Sequence, residues 1–226
     1  IGDRRRTMQR EMVNRLSRTC ANPESSQSQV WKIDPIQCRE IRNLAWKHGK
    51  TLHFLPTLLT ALWTENLLDY HYWARDRMLD AVAGLDPELW ARDTGSSLRS
   101  VRDTLAHIYG AEWAWHQRWI GYSPAKLPAA DGFVDAATLR SAWDLVETQV
   151  RMFVRDAGEE GIHIPIEYKS LAGMTGQSTV VQMVQQVVNH ASYHRGQVTT
   201  MLRQLGVPPA KSMDLITFFR ERASQV

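Results

Sequence analysis

Four stretches of this chain repeat apolar residues every three or four positions over several turns each, and helices laid side by side are what buries such stripes. The first holds Leu59, Trp63, Leu67, Tyr70, Ala74, Met78 and Ala81, which places a helix at about 57 to 83, ended by Gly84 with Pro87 just beyond. The second holds Leu105, Ile108, Ala111, Trp115 and Trp119, opens on Ser97 or Ser100 as N-cap and runs to about Gly121. Leu139, Trp143, Val146, Val150 and Phe153 mark the third, from a cap at Asp135 to about Ala157. The fourth starts at Ser178 or Thr179, carries Met183, Val184, Val187, Ala191, Val198, Met201, Leu202 and Leu205, and is stopped by Gly206 and Pro208-Pro209. Between the last two, Ile162, Ile164, Ile166 and Tyr168 alternate with His163, Pro165, Glu167 and Lys169, the period of a short strand whose proline suits an edge. Gly173 and Gly176 then turn it into a hairpin, and Leu215, Ile216, Phe218 and Phe219 give a last short helix at about 214 to 222. The expected fold class is therefore all-α: a four-helix bundle, with a short β-hairpin before the last long helix and a short C-terminal helix.

Residues 1 to 56 lack this period. They run through Arg4-Arg5-Arg6 and the Ser/Gln patch at 25 to 29, and they read as a basic, disordered arm ahead of a bundle at 57 to 226. The arm distorts the overall charge. It carries eleven Lys+Arg against five Asp+Glu, which leaves sixteen against nineteen of the totals, 27 and 24, for residues 57 to 226. The bundle is thus mildly acidic, and the basic balance of the chain is no sign of a nucleic-acid partner. No apolar run is long enough to span a bilayer, so no membrane partner is expected. Both cysteines, Cys20 and Cys38, lie in the arm; the bundle has no thiol for metal or catalysis, and the pattern fits a reducing cytoplasm.

The chemistry-bearing residues sit on the edges of the apolar stripes. His190 and His194 are four apart on the fourth helix, so their rings point the same way and can grip one divalent ion. Two ordinary histidines at a core edge have the same spacing, and a third ligand is what separates the two readings. They lie beside Gln186 and Gln197. On the second helix His107 also projects to the stripe edge, with Asp103 one turn before it, placed either to hold the far ring nitrogen or to put negative charge on a helix start. Glu112 and Arg195 project into apolar arcs, which suggests a matched buried ion pair between them. His71 falls near or off the first stripe; His116 and His163 read as structural or surface residues.

The combination of Tyr70-His71-Tyr72-Trp73-Ala74, Arg102-Asp103-Thr104-Leu105-Ala106-His107-Ile108 and Asn189-His190-Ala191-Ser192-Tyr193-His194-Arg195-Gly196-Gln197 resembles the DinB/YfiT-like superfamily over about residues 58 to 222. The resemblance implies a bundle, commonly a homodimer, with zinc or nickel held by His107, His190 and His194. His71 stands where the family often has Asn and is not carried over as a ligand. An open coordination position beside three imidazoles would let the metal lower the pKa of a bound water or hold a thiolate.

Two functions follow as expectations. One is a metal-dependent hydrolase, or a transferase using a low-molecular-weight thiol, acting on a small molecule; a deep pocket above the metal walled by Trp73, Trp115 or Tyr193 would favour it, and a shallow closed site the alternative. The other is a non-catalytic metal-binding stress-response protein. A hydrolase needs a general base, and only Asp103 and Glu112 lie in the neighbourhood, with Arg195 the nearby cation. Removing residues 1 to 55 is expected to leave the melting temperature nearly unchanged; a loss above about 2 kcal/mol in denaturant titration would show that the arm packs on the bundle.

Overall fold

Three side-chain oxygens set where the long helices begin. Ser100 accepts from the Asp103 amide, Asp135 from the Thr138 amide, and Thr179 shares a reciprocal capping box with Gln182. The computed structural model describes residues 55 to 224, with side chains from residue 60. The basic arm, apart from its last two residues, lies outside the described residues. Six helices and one hairpin follow: α1 (Leu55–Val82), α2 (Pro87–Ala91), α3 (Val101–Trp119), α4 (Ala136–Gly161), β1 (Pro165–Lys169), β2 (Thr175–Thr179), α5 (Val180–Gln204) and α6 (Leu215–Ala223). The fold is the all-α bundle expected. Helix α2 lies between Gly84 and Ser97, where the sequence pattern places no element; its five residues are too few to show a period, but Asp86 caps it and Trp90 anchors it. Helix α4 breaks at Gly158, whose φ of 60° a side chain would resist, and one more turn follows before the hairpin.

Cross-helix partners give the directions. Thr104 meets Met201 (3.6 Å) and Trp119 meets Met183 (2.9 Å), so α3 and α5 are antiparallel. Ala61 meets Glu159 (2.8 Å) and Asp80 meets Arg140 (2.6 Å), so α1 and α4 are antiparallel as well. Tyr109 packs on Trp143 and Trp119 on Phe153, which makes α3 and α4 parallel. The order is up, down, down, up. Parallel neighbours require the connection from 120 to 135 to run back along α3, and it does: Trp90 Nε1 donates to the Phe133 carbonyl, and Tyr109 meets the Phe133 ring edge-on. Gly110 lets it pass close, since a Cβ there would sit 3.2 Å from that of Leu127. The hairpin pairs Pro165 with Thr179 through to Lys169 with Thr175. Among the described residues no helix is long and apolar enough to cross a membrane.

A polar hub sits inside the apolar core. Glu112, 2% exposed, accepts from His71 Nε2 (2.8 Å), Tyr72 Oη (2.7 Å) and Trp143 Nε1 (2.7 Å), joining α3 to α1 and α4. The ion pair expected between Glu112 and Arg195 is therefore not formed. His71 and Tyr72 reach the carboxylate from α1 and fill its acceptor sites, while Arg195 Nη2 donates to Ser192 Oγ (2.9 Å) and the guanidinium lies over Tyr70. Burial lowers the Arg195 pKa; Tyr70 and the more distant Glu112 oppose that pull. His71, near or off the apolar stripe, is nevertheless wholly buried, and His116 is a buried structural residue packed on Trp119 and Phe153. Arg75, 4% exposed, binds Asp76, Asp144 and Glu147, lacing α1 to α4.

Burial alone would raise the Glu112 carboxyl, but the His71 charge and the bonds from His71, Tyr72 and Trp143 outweigh it and hold its pKa below the usual glutamate value. A depressed carboxyl stabilises the fold above the ordinary glutamate range and loses that contribution as pH falls through its folded value. Replacing Glu112 with Ala, which strands three buried donors, is expected to cost about 3–5 kcal/mol in denaturant titration. The Glu112→Gln protein should melt lower than the wild type at neutral pH and lose less on acidification from about pH 5 to about pH 3.

Candidate metal centre

The cap at Thr179 phases α5 so that Val184, Val187, Ala191 and Val198 face the core and His190 and His194 fall one turn apart at its edge. Antiparallel packing then lays α3 alongside, and His107 arrives opposite them. His190 Nε2 is 3.1 Å from His107 Nε2 and 3.1 Å from His194 Nε2. The donor atoms of these three residues all lie within 4.8 Å of one another, and His107, His190 and His194 form a group that could hold a metal ion.

The chemistry of the donors fits a cation. A ring nitrogen carries either one proton or one lone pair, so His190 Nε2 can make one in-line hydrogen bond, not two. A tetrahedral ion with bonds of about 2.0–2.1 Å to imidazole would hold three nitrogens about 3.3–3.4 Å apart, within a few tenths of an ångström of the two separations from His190, both 3.1 Å. Protonation does not compete near neutrality. Burial, then the His194 and His107 rings, push the His190 pKa down to about 4. Burial, then His194, lowers that of His107. Both are thus neutral and offer lone pairs at physiological pH.

The other candidates sit around this point. Asp103 accepts from Arg102 Nε (2.9 Å), and its amide is taken by the Ser100 cap; no bond from His107 reaches it. Its place is the first turn of α3, where negative charge is favoured. Glu112 is sealed in the hub, and Arg195 turns to Ser192 and Tyr70. Of the three aromatic residues expected as pocket walls, Tyr193 is beside the centre, 67% exposed with its ring edge-on to His194 at 5.0 Å. Trp73 instead packs on Phe218 of α6, and Trp115 on Tyr168 of β1. Gln197 adds a residue that helical projection placed beside the histidines without assigning it a role: its Oε1 lies 2.7 Å from His194 Nδ1. The signal was its spacing, since a residue three after His194 shares its face.

A family model described as "DinB family" matches residues 57–221. "Protein DinB" of Bacillus subtilis (strain 168) is 24% identical over 149 residues, covering 64% of this chain and 87% of that protein.

Changing His190 or His107 to Ala is expected to reduce bound metal far below one ion per chain in elemental analysis of the purified protein. Changing His163, which is exposed and bound to Glu159, should leave the metal content at the wild-type level.

Proposed function

The chain belongs to the DinB family, and from that premise we propose that it is a metal-dependent enzyme in which His107, His190 and His194 hold zinc or nickel for the transfer of a low-molecular-weight thiol to or from a small molecule. The observation that carries the reading is the convergence of three Nε2 atoms with no carboxylate among them. Neutral donors leave a divalent ion its full charge, and a fourth ligand that is an anion is then favoured. A bound ion would supply that charge to stabilise the deprotonated form of a thiol or a water.

The surroundings support thiol transfer over hydrolysis. Attack by water asks for a protein base to take the second proton, and the two carboxylates in the neighbourhood are engaged elsewhere: Asp103 with Arg102, Glu112 with His71, Tyr72 and Trp143. A thiol, far more acidic than water, loses its proton on coordination without such help. Imidazole suits both zinc and nickel, and the donor set does not divide them. The half-burial of His107 and His190 and the 67% exposure of Tyr193 beside them support access by a small molecule.

Cobalt(II)-loaded protein should gain a thiolate-to-metal absorption band, and zinc-loaded protein a higher melting temperature, when a small thiol such as 2-mercaptoethanol is added; ethylene glycol, its oxygen counterpart, should produce neither. At about 100 times its dissociation constant the thiol is worth about 2.7 kcal/mol of added stability. Equal responses to the two compounds would point to hydrolysis, and tight metal binding with no response to either would point to a protein that only binds the metal.

A further inference from the structure

We propose that Gln197 is the positioning residue of this centre: by accepting the Nδ1 proton of His194 it holds that imidazole in the tautomer whose Nε2 lone pair faces His190 and His107. The inference rests on the metal-binding reading above for its consequence, although the hydrogen bond itself does not.

The chemistry is one of complementary capacities. A neutral imidazole has one N–H and one lone pair, on different nitrogens, and a carboxamide oxygen can only accept. With Gln197 Oε1 at 2.7 Å from His194 Nδ1, the proton belongs on Nδ1, and Nε2 is left bare, 3.1 Å from His190 Nε2. Were the amide reversed, its NH2 would donate to Nδ1, and the His194 proton would then sit on Nε2, pointing into the centre where a cation would be. Metal binding and the orientation of Gln197 therefore favour one another.

Burial explains why this histidine needs a protein partner. His107 and His190 are half-buried, so solvent can reach those residues. His194 is 8% exposed and cannot rely on solvent in that way. A buried N–H left without a partner carries a desolvation cost, so without Gln197 the ring would favour the other tautomer or rotate. Spacing does the rest: residue 197 is one helical turn beyond residue 194 on the same face of α5, within the rigid span that also carries His190. The acceptor is an amide rather than a carboxylate, so the ring is oriented without negative charge being brought to the centre.

The test uses the full chain, zinc alone as the probe, and two substitutions. Gln197→Leu removes the acceptor at similar size and is expected to weaken zinc binding about 10- to 100-fold in chelator competition. In the metal-free protein, nitrogen-15 spectra of the imidazoles should show His194 moving from the Nδ1–H towards the Nε2–H tautomer. Gln197→Glu keeps an acceptor and cannot donate; it should restore the Nδ1–H tautomer and bind zinc at least as tightly as the wild type. Should the wild type bind no zinc, the metal reading fails, yet the tautomer spectra still decide the role of Gln197. Should the wild type bind zinc while Gln197→Leu keeps both its affinity and its tautomer, the positioning role is overturned. A role in packing alone would lower the melting temperature of both variants and leave tautomer and affinity in place. Failure of Gln197→Leu to fold leaves Gln197→Glu as the deciding protein: an Nε2–H tautomer or weakened zinc binding in it overturns the proposal.

Discussion

A single buried carboxylate fixes the rotation of the bundle. Glu112 must satisfy its acceptors inside the core, and the three donors that do so come from two other helices: His71 and Tyr72 from α1, Trp143 from α4. An unmatched charge at 2% exposure would be unaffordable, so α3 cannot turn about its axis without breaking the set. That restraint reaches the candidate centre directly. His107 lies five residues before Glu112 on the same rigid helix, and the rotation that buries the carboxylate also aims His107 at α5. The same hub sets the height of α4 against α3, because Trp143 has to stand level with Glu112.

The elements were legible in the sequence because their signals are local. Apolar spacing placed all four long helices and the hairpin, and capping residues narrowed the starts of α3, α4 and α5 to one or two positions, with Ser100 and Thr179 taking the part over Ser97 and Ser178. Helix α2 was not legible, since five residues make little more than one turn. Nor was the direction of α4 relative to α3: the segment from 120 to 135 has no period, and its return path depends on the close approach at Gly110, a tertiary fact.

The candidate site was legible in part, for a related reason. Projection around a helix axis says which side of its own helix a residue occupies, and on that basis His107, His190, His194, Glu112 and Arg195 were all placed at an edge or inside, as the structure has them. It does not say which partner helix faces them or at what height. The proposed Glu112–Arg195 pair failed on that second question, because His71 and Tyr72 stand at the level of Glu112. His71 was misread for a further reason: α1 buries residues on more than one side, so leaving the main stripe did not mean leaving the core.

The polar interior thus separates into two sets with opposite electrostatic character. Glu112 and Arg75 are charged, buried and matched, and they hold α1, α3 and α4 together. His107, His190, His194 and Gln197 bring no carboxylate and no guanidinium, and they meet where α3 and α5 face each other. Arg195 lies between the sets. It follows His194 in sequence, yet the 100° step around α5 carries its guanidinium away from the histidines towards Tyr70, where the field of Glu112 opposes the cost of burial. Had that cation pointed the other way, it would have repelled a divalent ion among the imidazoles; had Glu112 been free to reach them, it would have neutralised one. With both charges turned away, no fixed charge of the protein enters the three-histidine group, the condition under which a bound cation keeps its attraction for an incoming anion.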